Sequence, residues 1–396
     1  MNTASRLQHI APFHVMEIVK MAAQLEAAGR DLVHMSIGEP DFTAPPSVVA
    51  AAHAAISQGQ LQYTNALGIL PLRQAISQHY QTQFGLAIDH SRIVITAGAS
   101  GALLLACAAL VQAGRDVLMP DPSYPCNRNF VAAFEGRAKL LACGPEQRFQ
   151  MTAAMLAAAW DENSAGVLLA SPSNPTGTSI ASDELAAILA LVASRDGFAI
   201  VDEIYLGLSY DAPPYSALGL SSEVVVINSF SKYFHMTGWR LGWMVVPESV
   251  LPAIEKLAQN LYICPSSVAQ HAALACFEPQ AQEIYRQRKQ EFQCRRDYLV
   301  PALRELGFQV PVQPDGAFYV YADCSALLDA QLCDADQLCV AMLQEAGVVI
   351  VPGLDFGPST AKQYVRFSYA TSLEKLQLAM QRLAHFFATR RTAKLA

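Results

Sequence analysis

The chain has 396 residues, 52% of them apolar and 15% charged, a composition too apolar for a disordered polymer. Twenty-seven basic residues stand against 34 acidic ones, a net charge of −7. That is the wrong sign for a surface that grips a polyanion, so nucleic acid is excluded as the main partner.

The nine cysteines have no C-x-x-C pair, and their number is odd in a chain long enough to build its core without staples. This predicts reduced thiols in a cytoplasmic protein, with no disulfide framework and no metal site. The first ten residues carry one basic side chain and no apolar run follows them, so no signal peptide is expected.

In chain order, the first predicted element is a helix over 15–28. The stretch from Ile93 to Gly114 holds 22 residues without a charge, long enough to span a bilayer. Its β-branched start, Ile93–Thr96, breaks at once into Gly98-Ala99-Ser100-Gly101 before a helical pattern begins. The reading is therefore strand, glycine turn and buried helix, and no membrane partner. Further short apolar runs without polar alternation lie at 117–119, 167–170, 198–201 and 224–227. They read as strands of a parallel sheet covered on both faces, with segments such as 183–194 as crossover helices. Ser182-Asp183-Glu184 is expected to cap that helix.

Beyond about residue 280 the pattern changes to one long charged helix over 283–305 and strands at 317–321, 348–351 and 364–369. A last amphipathic helix carries Leu373, Leu376, Met380, Leu383 and Phe387 on one face. The predicted fold class is α/β. A mostly parallel sheet flanked by helices forms a large domain over 46–282, and a smaller α+β domain combines 1–45 with 283–396.

Ligands of open α/β sheets bind outside the carboxyl ends of the strands. The segments after the five apolar runs are Gly98-Ala99-Ser100-Gly101, Pro120–Tyr124, Ser173–Gly177, Asp202-Glu203-Ile204-Tyr205 and Asn228–Lys232 with Gly238-Trp239-Arg240. One edge would thus receive a glycine turn, an aromatic ring, an amide, a carboxylate with a phenol, and a lysine with an arginine. A glycine turn opening a helix suits a phosphate, and Arg240, Ser229 and Ser231 could complete the anion site. Neither a Walker loop nor a G-x-G-x-x-G turn is present. The set points to a phosphorylated, electron-accepting ring held through a Schiff base.

Ser229-Phe230-Ser231-Lys232 followed by Met236–Gly242 resembles the lysine signature of the class I aminotransferases, fold type I pyridoxal-phosphate enzymes. Gly38–Phe42, Tyr63-Thr64 with Gly68, Asn174–Gly177, Asp202–Tyr205 and Val365–Ser368 are similar to that family's other landmarks, in its order. The resemblance implies that Lys232 bonds pyridoxal 5'-phosphate and moves a substrate proton, and that Asp202 pairs with the ring nitrogen. By the same resemblance Tyr205 and Asn174 hold the ring oxygen, and Tyr124 stacks on the ring. Ala99, Ser100, Ser229, Ser231 and Arg240 hold the phosphate. Gly38, Asn174 and Arg366 bind the substrate, Arg366 taking its carboxylate in a planar two-point grip that lysine could not reproduce. Tyr63 would reach the phosphate of a neighbouring subunit, which implies a homodimer with shared sites.

The implied activity is ping-pong transfer of an amino group between an L-amino acid and a 2-oxo acid, through pyridoxamine phosphate. Carbon–sulfur β-elimination uses the same lysine and carboxylate grip and stays open at this point. An amino-acid sensor on the same scaffold is disfavoured by the retained Lys232 and Asp202. Ile37, Tyr63, Tyr124 and the segment 262–266 are candidate walls for the substrate side chain.

Overall fold

The computed structural model describes residues 1–10, 12 and 14–395. Helix α1 (His14–Ala27) and the short strand β1 (Val33–His34) come first, followed by α2 (Pro46–Ser57) and α3 (Leu70–Phe84). The apolar runs then take their places in one seven-stranded sheet. Its members are β2 (Ile93–Thr96), β3 (Asp116–Asp121), β4 (Arg137–Ala142), β5 (Ser164–Ala170), β6 (Phe198–Asp202), β7 (Val224–Ser229) and β8 (Gly242–Val245). The spatial order is β2-β8-β7-β6-β5-β3-β4, parallel throughout the β7-to-β4 half, with β8 antiparallel to both β2 and β7.

Side chains of β5, β6 and β7 are buried on both faces. Leu168, Ile200 and Val225 join one apolar cluster, whereas Val167, Val201 and Val226 join another on the opposite side. This two-sided burial explains the lack of alternation in the sequence, and each such side chain contributes about 1.5–3 kcal/mol. The uncharged stretch after Arg92 divides as expected into β2 and the buried helix α4 (Gly98–Leu110). Two strands escape the apolar-run pattern. β4 is the half-exposed edge of the sheet, and β8 is only four residues long behind a glycine.

The helices α5 (Pro125–Ala133), α6 (Ala153–Ala159) and α7 (Ser182–Ser194) connect these strands. The expected cap of α7 is not formed. Ala181 occupies the capping position without a side-chain bond, so Ser182 lies inside the helix. Glu184 instead accepts a hydrogen bond from Ala153 N at 2.6 Å, fastening α7 to the start of α6.

After α8 (Leu251–Leu261) and α9 (Ser267–Leu274), the 28-residue helix α10 (Pro279–Leu306) leaves the sheet region. Two buried arginines anchor it. Arg295 Nη1 donates to Asp41 at 2.8 Å, and Arg296 grips Asp211 with a two-point fork at 2.6 and 2.9 Å. Arg295 also lies 5.0 Å from the Phe42 ring, so Asp41 and Phe42 serve to pin the loop that begins at Gly38. Removing one partner of such a pair strands a buried charge.

The remaining elements are β9 (Tyr319–Asp323), α11 (Ala335–Ala341), β10 (Val348–Val349), β11 (Val351–Pro352), β12 (Tyr364–Ser368) and α12 (Leu373–Leu395). The run at 348–351 is thus two strands rather than one, divided at Ile350. β10 pairs with β1 of the amino-terminal segment, and β11 pairs with β12 and, through it, β9. Ile18, Ala22, Val33 and Met35 share one apolar core with Leu338, Val348, Phe367, Leu376 and Leu383. Among the described residues no helix is long and apolar enough to cross a membrane.

Candidate active site

Parallel strands deliver their carboxyl ends to one edge, and the antiparallel β8 delivers its start to the same edge. Gly242 sits between Thr96 of β2 and Ser229 of β7. Arg240, two residues before β8, therefore joins the residues just beyond β2, β3, β5, β6 and β7. Together they line a cavity of about 540 Å³. Its walls include Ala99, Ser100, Tyr124, Asn174, Asp202, Tyr205, Ser229, Ser231, Lys232 and Arg240, with Gly38 and Arg366 from the chain's two ends.

At one end of the cavity α4 begins without a side-chain cap, so its first amides and the positive end of its dipole face the space unshielded. Gly98 has φ +73°, and a Cβ there would lie 2.6 Å from Arg240 Nη2. Glycine is required twice over, by the left-handed backbone and by the approach of the guanidinium. Arg240 is itself left-handed at φ +53° and donates Nη1 to Thr237 O at 2.9 Å. Ser231 N donates to Ser229 Oγ at 3.0 Å, which orders the turn between them. Amides, hydroxyls and one arginine at a helix start make a cradle suited to a phosphate.

Asp202 ends β6, 4% exposed, and accepts from Ile204 N at 3.1 Å. Burial raises its carboxyl to about 7, against the pull of that N–H and of Lys232. Burial also lowers the Lys232 amine to about 8; Arg366 and Arg240 add to the fall, while Glu39 and Asp202 oppose it. Both groups are thus brought close to neutrality, where proton transfer is most easily poised. Lys232 Nζ donates to Gly38 O at 2.5 Å and stands 5.8 Å from the Tyr205 and Phe318 ring centres.

Arg366 is 6% exposed, on β12. Its Nη1 donates to Asn174 Oδ1 at 2.9 Å and its Nη2 to Ser36 O at 2.6 Å, while Nε is buried without a partner. The guanidinium lies 4.4 Å from the Tyr319 ring centre and 5.0 Å from that of Phe356. A planar cation clamped between two aromatic rings and fixed at both ends is preorganised for a carboxylate. Tyr319 Oη lies 2.9 Å from Tyr205 Oη, so the phenol after β6 is tied to β9.

Of the residues expected to bind cofactor or the substrate carboxylate, Tyr63 alone stands apart: it is 79% exposed and does not line the cavity. Two of the expected side-chain walls, Ile37 and Tyr124, do line it, whereas Tyr63 and the segment 262–266 do not. The walls that sequence reasoning missed include Val15, Met16 and Val19 of α1, Leu103, Ile204 and Tyr319. The pattern Val15–Met16–Val19 at helical spacing was the available signal. It reads equally well as an ordinary core-facing stripe, which Ile18 and Ala22 supply in this helix.

Comparison with known proteins identifies the family and the fold. The sequence profile described as "Aminotransferase class I and II" matches residues 30–383. A valine–pyruvate aminotransferase of Mycobacterium tuberculosis is 41% identical over 94% of this chain and 96% of its own length. A crystal structure of an aminotransferase from Mycobacterium tuberculosis superposes with a TM-score of 0.94 at 40% identity, covering 98% of this chain and all of that one. Aspartate aminotransferase from Thermus thermophilus with maleate gives a TM-score of 0.91 at 31% identity, covering 97% and 99% of the two chains.

Proposed function

Because the chain belongs to the class I and II aminotransferases and is a pyridoxal-phosphate-dependent transaminase, we propose that its amino donor is an L-amino acid with a neutral, apolar side chain. The observation that carries this is the cavity's charge inventory. Among the described residues that line it, the cations are Lys232, Arg240 and Arg366, and each has a use other than a side-chain carboxylate. The surface left for the substrate side chain is that of Val15, Met16, Val19 and Ile37.

The residues present fit the cofactor: an uncapped helix start beside Arg240 for its phosphate, and a buried carboxylate for its ring nitrogen. Ala99, Ser100, Ser229, Ser231 and Arg240 would hold the phosphate, Asp202 the nitrogen, Tyr205 and Asn174 the ring oxygen, and Tyr124 the ring face. When bound, pyridoxal phosphate supplies an electron-accepting ring that stabilises negative charge at the substrate Cα. Arg366 and the Gly38 backbone orient the substrate carboxylate, which fixes the direction of the Cα–H bond. Lys232 Nζ takes that proton from Cα in the donor half-reaction and returns one to Cα of the incoming 2-oxo acid in the other. Its burial favours the neutral, basic amine near pH 8.

The proposal includes a cytoplasmic homodimer with shared sites. Tyr63 and Leu61 are exposed, as are Leu261 and Ile263 next to Cys264, whose Sγ accepts from Thr64 N; these apolar side chains support such a contact surface, and all nine cysteines are free. It also includes the division into 46–282 and a smaller part from 1–45 with 283–396, which the core shared by Ile18 and Val33 with residues beyond 292 supports.

The test is a half-reaction screen. Protein carrying its cofactor is mixed with single amino acids while the cofactor's absorbance change from aldehyde to amine form is followed. Alanine, valine and leucine are expected to convert it about tenfold or more faster than aspartate or glutamate, since the described residues lining the cavity leave no free cation for a second carboxylate. Faster conversion by the acidic amino acids would overturn the reading.

A further inference from the structure

The wall formed by α1 depends on one residue far away in sequence. Asp355 is 3% exposed, in the turn after β11. Its Oδ1 accepts from His14 N at 2.8 Å and its Oδ2 from Val15 N at 2.7 Å. One carboxylate thus satisfies two of the otherwise unpaired amides at the start of α1 and puts negative charge at the positive end of the helix dipole. Asp355 O is held in turn by Arg128 Nη2 at 2.6 Å. Val15, the second residue capped, packs against the cluster containing Phe356, the ring over Arg366.

We propose that Asp355 is a positioning residue for substrate side-chain specificity: it sets how close the Val15–Met16–Val19 face of α1 stands to the side chain of the bound amino acid. This deepens the reading of the cavity as an amino-acid site and rests on it. The carboxylate grip is held independently of the cap. Phe356 O accepts from Ser123 N at 2.9 Å, and Arg366 is fixed by Asn174 and Ser36. Loss of the cap therefore loosens the contact with the substrate side chain and spares the contact with its carboxylate.

The test measures kcat and KM of the holoenzyme with alanine, 2-aminobutyrate, norvaline and norleucine, a series that extends one methylene at a time towards the wall. For Asp355→Ala the loss in kcat/KM relative to wild type is expected to grow by about tenfold from alanine to norleucine, mostly in KM, because the lost contact is made in ground and transition state alike. Asp355→Asn, which keeps the volume and one acceptor, is expected to fall between and decides the matter if the alanine variant does not fold. An equal loss at every chain length, or none at any, overturns the proposal. The readout is a ratio of variant to wild type along the series. A wild type that prefers acidic donors would therefore sink the apolar-donor reading while leaving this ratio to be judged alone.

Discussion

Replacing Gly38 by alanine adds one carbon where the structure leaves no space, and the consequence can be traced atom by atom. The new Cβ would lie 2.4 Å from Tyr319 Oη, whereas ordinary contact begins at 3.4 Å. The hydroxyl must therefore retreat by about 1 Å in a close-packed interior. Tyr319 cannot swing away freely. It is 1% exposed, its ring centre is 4.8 Å from that of Phe318, and the Arg366 guanidinium lies against it. Retreat lengthens the 2.9 Å bond to Tyr205 Oη and disturbs the surface on which Arg366 rests. Overpacking costs about 1–3 kcal/mol and a weakened hydrogen bond about 1 kcal/mol more. If about half of this is felt at the transition state, kcat/KM falls roughly fivefold to thirtyfold, with a matching drop in the urea midpoint. Tyr319→Phe removes the offending oxygen and leaves Cζ 3.5 Å from the new carbon, an ordinary contact. The double variant Gly38→Ala/Tyr319→Phe should then be no worse than Tyr319→Phe alone, a coupling of about 2–4 kcal/mol in a double-mutant cycle. Simple addition of the two single losses would refute the steric argument.

Other outcomes rest on the same geometry. Burial holds the Lys232 amine at about 8, so the rate at which cofactor-free protein captures pyridoxal phosphate should rise as pH increases and level off above that value. Stopped-flow absorbance would show it, and an inflection near the ordinary lysine value of 10.5 would contradict it. Arg366→Lys keeps the charge but leaves Asn174 Oδ1 or Ser36 O short of a donor. It should lower kcat/KM by about a hundredfold, in steady-state kinetics that an unchanged value would make untenable. Gly98→Ala meets both a left-handed backbone and Arg240 Nη2. Cofactor affinity, read by fluorescence titration, should weaken by about tenfold or more, and wild-type affinity would argue against the cradle.

Local pattern carried much of the molecule. Unalternating runs such as 167–170 and 198–201 had to be strands buried on both faces, and parallel strands had to gather their trailing loops at one edge. Hence Lys232, Asp202, Asn174, Tyr124 and the α4 start could be expected together before any coordinate was known. The cap of α7 shows the limit of such reasoning. Ser182 has the right chemistry, but the chain enters the helix one residue earlier, and Glu184 is drawn to a different helix.

The tertiary structure alone decided the relations between residues that no local signal links. The antiparallel direction of β8 brings Arg240 to the edge where parallel strands end, and a four-residue strand behind a glycine does not announce its direction. The contact of Gly38 with Tyr319, the clamp of Arg366 between Tyr319 and Phe356, and the capping of α1 by Asp355 join the two ends of the chain. Periodicity and capping rules see only a turn or two of neighbouring chain. A helix start that borrows its carboxylate from 341 residues away is settled by how the cores pack.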